Sequence, residues 1–179
     1  MRKLRIHELD RLSPADFKGS EKVPVIAVLD NIRSLHNVGS VFRTADAFRL
    51  EAVYLCGITA QPPHREIEKT ALGATETVQW QYFNDTLEAV KALRADGFLC
   101  VAVEQVEQSV DLRDWQPHPT DKVALILGNE VKGVQQKVID QCDSAVEIPQ
   151  FGTKHSLNVS ISSGIVLWEA VKPFLLRLH

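Results

Sequence analysis

The chain has 179 residues, 45% of them hydrophobic, which is enough for one well-buried core and gives no reason of length to divide it. A net charge of -3 at pH 7 excludes a general electrostatic attraction to nucleic acid, so any RNA or DNA contact must be local. Cys56, Cys100 and Cys142 are widely separated and odd in number, which excludes a disulfide framework or a paired-thiol metal site and predicts buried free thiols in a reducing cytosol.

The N-terminus, "MRKLRIHELDRL", interleaves charge with apolar residues and has no continuous apolar core, so it does not read as a signal peptide. No apolar run approaches the roughly 20 residues that span a bilayer, and a soluble cytoplasmic protein is expected. Residues 1–22 predict a short amphipathic arm or helix, and residues 23–179 a single folded unit. Strands are expected at "VPVIAVLD", "AVYLCG", "VQWQYF", "FLCVAVE", "KVALILG" and "SAVEIP". Between them, "NVGSVFRTADAFR", "HREIEKTALGA", "DTLEAVKALRADG" and "EVKGVQQKVIDQC" predict helices or helical turns, with "SLNVSISSGIVLWEAVKPFLLRL" as a long last helix. The stretch "SVDLRDWQPHPTD" is expected to be a loop. Val-, Ile- and Leu-rich strands without polar alternation need cover on both faces, so the fold class is α/β with a mostly parallel sheet between helices.

In such sheets ligands sit beyond the carboxyl ends of strands, and three of those points carry unusual polar residues. The first is "NIRSLHNVGSVFRTADAF". With Asn37 as helix cap, Val38, Val41, Phe42, Ala45 and Phe48 form an apolar stripe, while Gly39 and Arg43 share another face. A bare glycine beside a guanidinium would admit a bulky anion; taken alone, the stretch also fits an ordinary capped helix. The second is "LILGNEVKGV", where Gly128 would let a flat ligand lie on the main chain and Glu130, near a helix start, would accept hydrogen bonds. It fits a plain strand-to-helix turn equally well, and no phosphate-loop or dinucleotide fingerprint is present. The third is "IPQFGTKHSLNVSISSG", with Ser156 as the expected cap of the last helix and Leu157, Ile161, Gly164, Ile165, Trp168, Val171 and Leu175 as its apolar face. Trp80, Trp115 and Trp168 read as core or interface anchors. His7, His36, His64, His118, His155 and His179 show no metal-ligand spacing, and no metal is expected.

Together, in this order and at these distances, the three stretches resemble the SpoU/TrmH family of knotted methyltransferases, which methylate RNA ribose 2'-hydroxyls. Asn37, Gly39 and Arg43 match the family's first motif, and Gly128, Glu130 and Gly133 its second. "IPQFGTKHSLNVS" matches the third, and "KTALGATE" the Gly-Ala segment after the second strand. The likeness runs from about Val25 to Ala170.

The resemblance implies a deep trefoil knot near the C-terminus, a rare exception to unknotted connectivity. It implies S-adenosylmethionine bound in the knot at Gly128, Asn129, Ile148, Pro149 and Leu157, with Val103 beside them. It further implies a homodimer whose active sites draw on both subunits. Arg43 would be the central catalytic residue, with Asn37, Glu130, Ser156 and Asn158 positioning it, the ribose and the cofactor. Since arginine is effectively never deprotonated, Arg43 is expected to orient an RNA phosphate and stabilise the developing alkoxide while the proton leaves to phosphate or water. Arg33, His36, Lys132, Lys154 and His155, with Arg65 and Lys69, are expected to form the local RNA-binding patch. The compact chain favours transfer RNA over ribosomal RNA. The rival reading is a non-catalytic RNA-binding or assembly protein on the same fold.

Overall fold

The computed structural model describes residues 1–5 and 8–177. Ile6, His7, Leu178 and His179 lie outside it, and with them two of the six histidines, part of the N-terminal arm and the far end of the expected last helix. Ahead of the sheet, Ser13 caps α1 (Pro14–Gly19): its Oγ accepts from Asp16 N at 3.2 Å, and proline fills the first turn, where no amide donor is required. Phe17 is buried, so this short helix is docked on the core.

The chain then alternates strand and helix: β1 (Val23–Asp30), α2 (Leu35–Ala47), β2 (Leu50–Cys56), α3 (Arg65–Ala71), α4 (Ala74–Thr77), β3 (Trp80–Phe83), α5 (Thr86–Ala95) and β4 (Phe98–Val103). It continues through β5 (Val110–Asp111), β6 (Lys122–Leu127), α6 (Gln136–Ile139), β7 (Ser144–Glu147), α7 (Val159–Val171) and a 3-10 segment, Lys172–Arg177. Among the described residues one seven-stranded sheet has the order β3-β2-β1-β6-β4-β7-β5, and every neighbouring pair is parallel. Successive residues of a strand point to opposite faces, and the core divides accordingly. Val25, Ala27 and Leu29 of β1 join the cluster containing α2, α3, α4 and α7, while Ile26 and Val28 join the one containing α5 and α6. Helices therefore cover both faces, as the unbroken apolar strands require.

Four expectations are corrected. The supposed loop "SVDLRDWQPHPTD" contains β5, which pairs with β7 through Val110 and Asp111; two residues are too few to show a strand period. The helix expected from Glu130 exists only as Gln136–Ile139. Before it, Asn129 and Gly133 exchange backbone hydrogen bonds of 3.0 and 2.9 Å, closing a tight turn that Gly133 completes at φ +66. The segment after β2 is two helices, broken where Leu72 and Gly73 adopt φ values of 50 and 88. Lastly, α7 starts at Val159 and is capped by Asn158, whose Oδ1 accepts from Ser160 N at 2.8 Å; Ser156 lies outside the helix.

Candidate functional site

The carboxyl ends of β4, β6 and β7, three neighbouring strands, surround a cavity of about 490 Å³, within the usual range for small-molecule sites. Its apolar lining comes from Val103, Leu127, Val146 and Ile148, and its rim from the turn Gly128–Val134 and the approach to α7 at Ser156 and Leu157. Of the residues expected to hold a cofactor, Val103, Gly128, Asn129, Ile148 and Leu157 line this cavity; Pro149 does not, although its neighbours Ile148 and Gln150 do. Gly128 also has a second use. A methyl group there would fall 2.2 Å from Gly133 C and Val134 N, so the lack of a side chain lets the protein's own turn pack against it.

Glu130 projects from that turn and joins the cavity to the first motif. Its carboxylate accepts from Arg33 N at 2.9 Å, from Ser34 N at 2.9 Å and from Asn37 Nδ2 at 3.0 Å. Burial pushes the Glu130 carboxyl up, but the Arg33 and Ser34 amides and then the Asn37 amide outweigh it and hold it below the usual carboxylate range. An ionised group so engaged acts as a clamp, not as a proton acceptor. Ser34, whose Oγ accepts from Asn37 N at 3.3 Å, is the N-cap of α2. Asn37, expected as the cap, instead lies buried in the first turn and gives its side chain to Glu130.

The rest of α2 follows its pattern in part. Val38, Val41, Phe42 and Ala45 are fully buried and Phe48 is half-buried at the C-cap. Gly39 is buried as well, contrary to the open anion-receiving face expected of it: a methyl group there would meet Ile67 O and Thr70 Oγ1, each at 2.2 Å. This glycine lets α2 and α3 approach closely. Arg43 is exposed, with no hydrogen-bonded or ion-paired partner among the described residues, and it lies outside the cavity lining.

The remaining candidates divide. Ser156 lines the cavity, whereas Asn158 is held as a cap, its Oδ1 also accepting from Ser160 Oγ at 2.6 Å. Lys132 and His155 line the cavity rim, while Arg33, Arg65 and Lys154 are exposed elsewhere. His36 Nε2 and Lys69 Nζ both contact Glu66, at 3.1 and 2.7 Å, so two of the expected RNA-binding cations already have a carboxylate partner. Lys69 first, and His36 after it, hold that carboxyl below its ordinary range. Among the described residues no group of three or more His, Cys, Asp or Glu is placed to hold a metal ion, and no helix is long and apolar enough to cross a membrane.

Sequence reasoning missed the polar layer beneath these loops. Asp30, with no exposure, accepts from Thr86 Oγ1 at 2.6 Å and from Gln135 N at 3.0 Å and Nε2 at 2.8 Å. Asn31 sits at φ 57, and its backbone oxygen accepts from Asn129 Nδ2 at 2.6 Å. Thr59 is buried between Leu29 O and Ile32 N. A carboxylate closing an otherwise apolar strand was the available signal for Asp30.

The profile of the SpoU rRNA Methylase family matches residues 24–168. A 23S rRNA (guanosine-2'-O-)-methyltransferase of Neisseria meningitidis serogroup B is 32% identical over 154 residues, covering 86% of this chain and 60% of that protein. Its counterpart in Vibrio cholerae is 31% identical over 171 residues, 96% of this chain and 66% of that protein. The chain thus spans about 60% of the length of the first of these curated relatives. An AdoMet-bound rRNA methyltransferase from Sinorhizobium meliloti superposes with a TM-score of 0.79 at 30% identity, over 92% of this chain and 62% of that one. The TrmH/SpoU tRNA modifying enzyme of A. aeolicus gives 0.78 at 26% identity, over 92% and 81% of the two chains.

Proposed function

Because this chain belongs to the SpoU rRNA Methylase family, we propose that it transfers a methyl group from S-adenosylmethionine to a ribose 2'-hydroxyl of RNA. The observation that carries this reading is the Glu130 clamp. One carboxylate on the wall of the cavity grips the start of the helix that bears Arg43, joining a small-molecule site to an unpaired guanidinium. The cavity's chemistry suits the cofactor: an apolar lining accepts a nucleoside, and the carboxylate of Glu147 suits its positive charges. Val103, Leu127, Ile148 and Leu157 would hold it, together with the main chain at Gly128 and Asn129. When bound, S-adenosylmethionine supplies a methyl group activated by a sulfonium.

The chain's own residues then orient and neutralise. Arg43 pairs with a phosphate next to the target ribose, which fixes the hydroxyl's approach, and its charge stabilises the oxygen as negative charge develops. The proton leaves to phosphate or water. Asn37 and Glu130 act on Arg43 by holding the first turn of α2, Ser156 lies where ribose and cofactor would meet, and Asn158 fixes the entry to α7. Lys132, His155, Lys154 and Arg33 draw in the RNA backbone, with His36 contributing less because Glu66 engages it.

The reading includes two larger features. A homodimer is supported by α7, which leaves Ile161, Ile165 and Trp168 exposed at 56%, 37% and 45%, with Trp168 against Phe48 of α2 at 5.8 Å between ring centroids. An interface on that row would bring the Arg43-bearing helix beside a second subunit. A C-terminal trefoil knot is supported by register. Val103, Val146 and Val110 stand abreast on β4, β7 and β5, so residues 104–109 bridge across the carboxyl end of β7. The chain leaving β7 for α7 would pass within the loop 104–121 that β4 and β6 close. Buried Cys56 and Cys100, their thiols pushed up to about 12, accord with a reducing cytoplasm.

Transfer RNA is the substrate we propose, and the 23S rRNA specificity of the curated relatives makes ribosomal RNA the second arm of the test. Purified protein incubated with methyl-labelled cofactor is expected to label a ribose 2'-oxygen in one of the two bulk RNAs, identified by nuclease digestion and mass spectrometry. Arg43→Ala is expected to lower transfer by about a hundred- to a thousandfold, the size of a lost charge-stabilising group, with cofactor affinity retained. An Arg43→Ala protein that still transfers methyl groups would remove Arg43 from this role, and labelling of neither RNA would favour the non-catalytic reading.

A further inference from the structure

Glu104 belongs to none of the three motifs, yet it is tied to the turn that carries the second. It follows β4 directly and lines the cavity, and both carboxylate oxygens are engaged: Oε2 accepts from Val134 N and Oε1 from Gln105 N, each at 2.9 Å. The approach is close. Gly133 stands at φ +66, and a methyl group on it would come within 2.1 Å of Glu104 Oε2. The turn Gly128–Val134 is thus held at several points. Asn129 Nδ2 binds Asn31 O, Asn129 Oδ1 accepts from Val131 N and Lys132 N, and the residue after the turn, Gln135, is fixed to Asp30. Of these, the contact from Glu104 comes from the cavity side, while Glu130, in the middle of the same turn, reaches out to Arg33, Ser34 and Asn37.

We propose that Glu104 is a positioning residue: by accepting the Val134 amide it sets the shape of the Gly128–Val134 turn, and so both the cofactor cavity and the Glu130 grip on α2. Its effect passes through the main chain of the turn. The affinity part of the proposal rests on the cofactor reading above; the structural part does not. The carboxylate matters here as an acceptor for the Val134 amide: a glutamine can turn its one amide oxygen to Val134 N and leave the exposed Gln105 N to water, whereas an alanine or the shorter aspartate cannot reach Val134.

Three variants test this, Glu104→Gln, Glu104→Ala and Glu104→Asp, with two readouts. Amide hydrogen exchange on the protein alone is expected to accelerate at Val134 and also at Arg33 and Ser34 in the Ala and Asp variants, by about tenfold or more, and to stay near wild type in Gln. Acceleration at Arg33 and Ser34, about seventy residues from the substituted Glu104 in sequence, is the readout that a purely local packing role would not move. Calorimetric binding of S-adenosylhomocysteine is expected to weaken by about tenfold in Ala and Asp and to change by less than about threefold in Gln. Unchanged exchange at Arg33 and Ser34 in the Ala variant, or a Gln variant as impaired as Ala, would overturn the proposal. If Ala or Asp fails to fold, Gln against wild type still decides it, since loss in Gln contradicts the acceptor role and retention supports it. Wild-type protein that binds no S-adenosylhomocysteine would count against the cofactor reading, and the exchange result would stand on its own.

Discussion

At the scale of single residues, Glu130 has a pH signature. Its carboxyl is held below the ordinary value in the folded protein, because the Arg33 and Ser34 amides and Asn37 favour the ionised form by more than burial opposes it. A depressed folded value contributes stability that is fully present above the unfolded value of about 4.3 and is lost as pH falls through the folded one. Denaturant titrations between neutral pH and about pH 3 should show this acid-side loss in wild type and a flatter limb in Glu130→Gln. Equal slopes in the two proteins would mean that the clamp is not formed by the ionised group. Glu130 and Asn37, which the fold brings together, were legible as candidates because each follows the carboxyl end of a buried strand, where polar side chains point to a ligand. Their division of labour was not: whether Asn37 caps its helix or reaches a carboxylate 93 residues away depends on a contact no local pattern encodes. Glu104 and Asp30 were missed for the same reason, since each is a lone acid at a strand end until the fold brings partners to it.

At the scale of elements, α2 and α7 show where periodicity informs and where it fails. In α2 one face is apolar and is the buried face, so counting residues found the core stripe. In α7 nearly every face is apolar. Val159, Ser163, Val166, Leu167, Ala170 and Val171 are the buried residues; of the row read as its apolar face, Val171 is buried while Ile161, Ile165 and Trp168 are exposed. An all-round apolar helix has no preferred face in its sequence, and only packing against α2, β1 and β6 decides. The exposed row is therefore a strong place to test assembly. Trp168→Asp is expected to weaken self-association by at least about thirtyfold, the effect of removing an aromatic anchor, as measured by light scattering over a concentration series. Melting temperature should change little, because Trp168 is 45% exposed in the single chain. A variant that associates as wild type does would locate any dimer interface elsewhere. Sheet elements were legible as apolar runs such as Val25–Leu29 and Val123–Leu127, and β5 was not, because it is a strand by virtue of its neighbour β7 alone.

At the scale of the whole molecule, a net charge of -3 makes RNA binding depend on local cations, and that dependence can be measured. Each phosphate contact should add about -0.7 to -0.9 to the slope of log affinity against log salt concentration. Arg33→Ala or Lys154→Ala should flatten the slope by about one such step while leaving cofactor affinity unchanged, and a salt-independent affinity would exclude phosphate contacts. The parallel α/β class was legible from alternation of elements, but the strand order was not, because order is set by which edges meet. That order has a consequence for how the protein is made. β6, residues 122–127, lies between β1 and β4, so the two halves of the sheet touch only through a strand synthesised in the last third of the chain. Until the ribosome has released it, β1 presents an open edge of Val, Ile and Leu, the kind of surface that chaperones shield and that other nascent chains can capture.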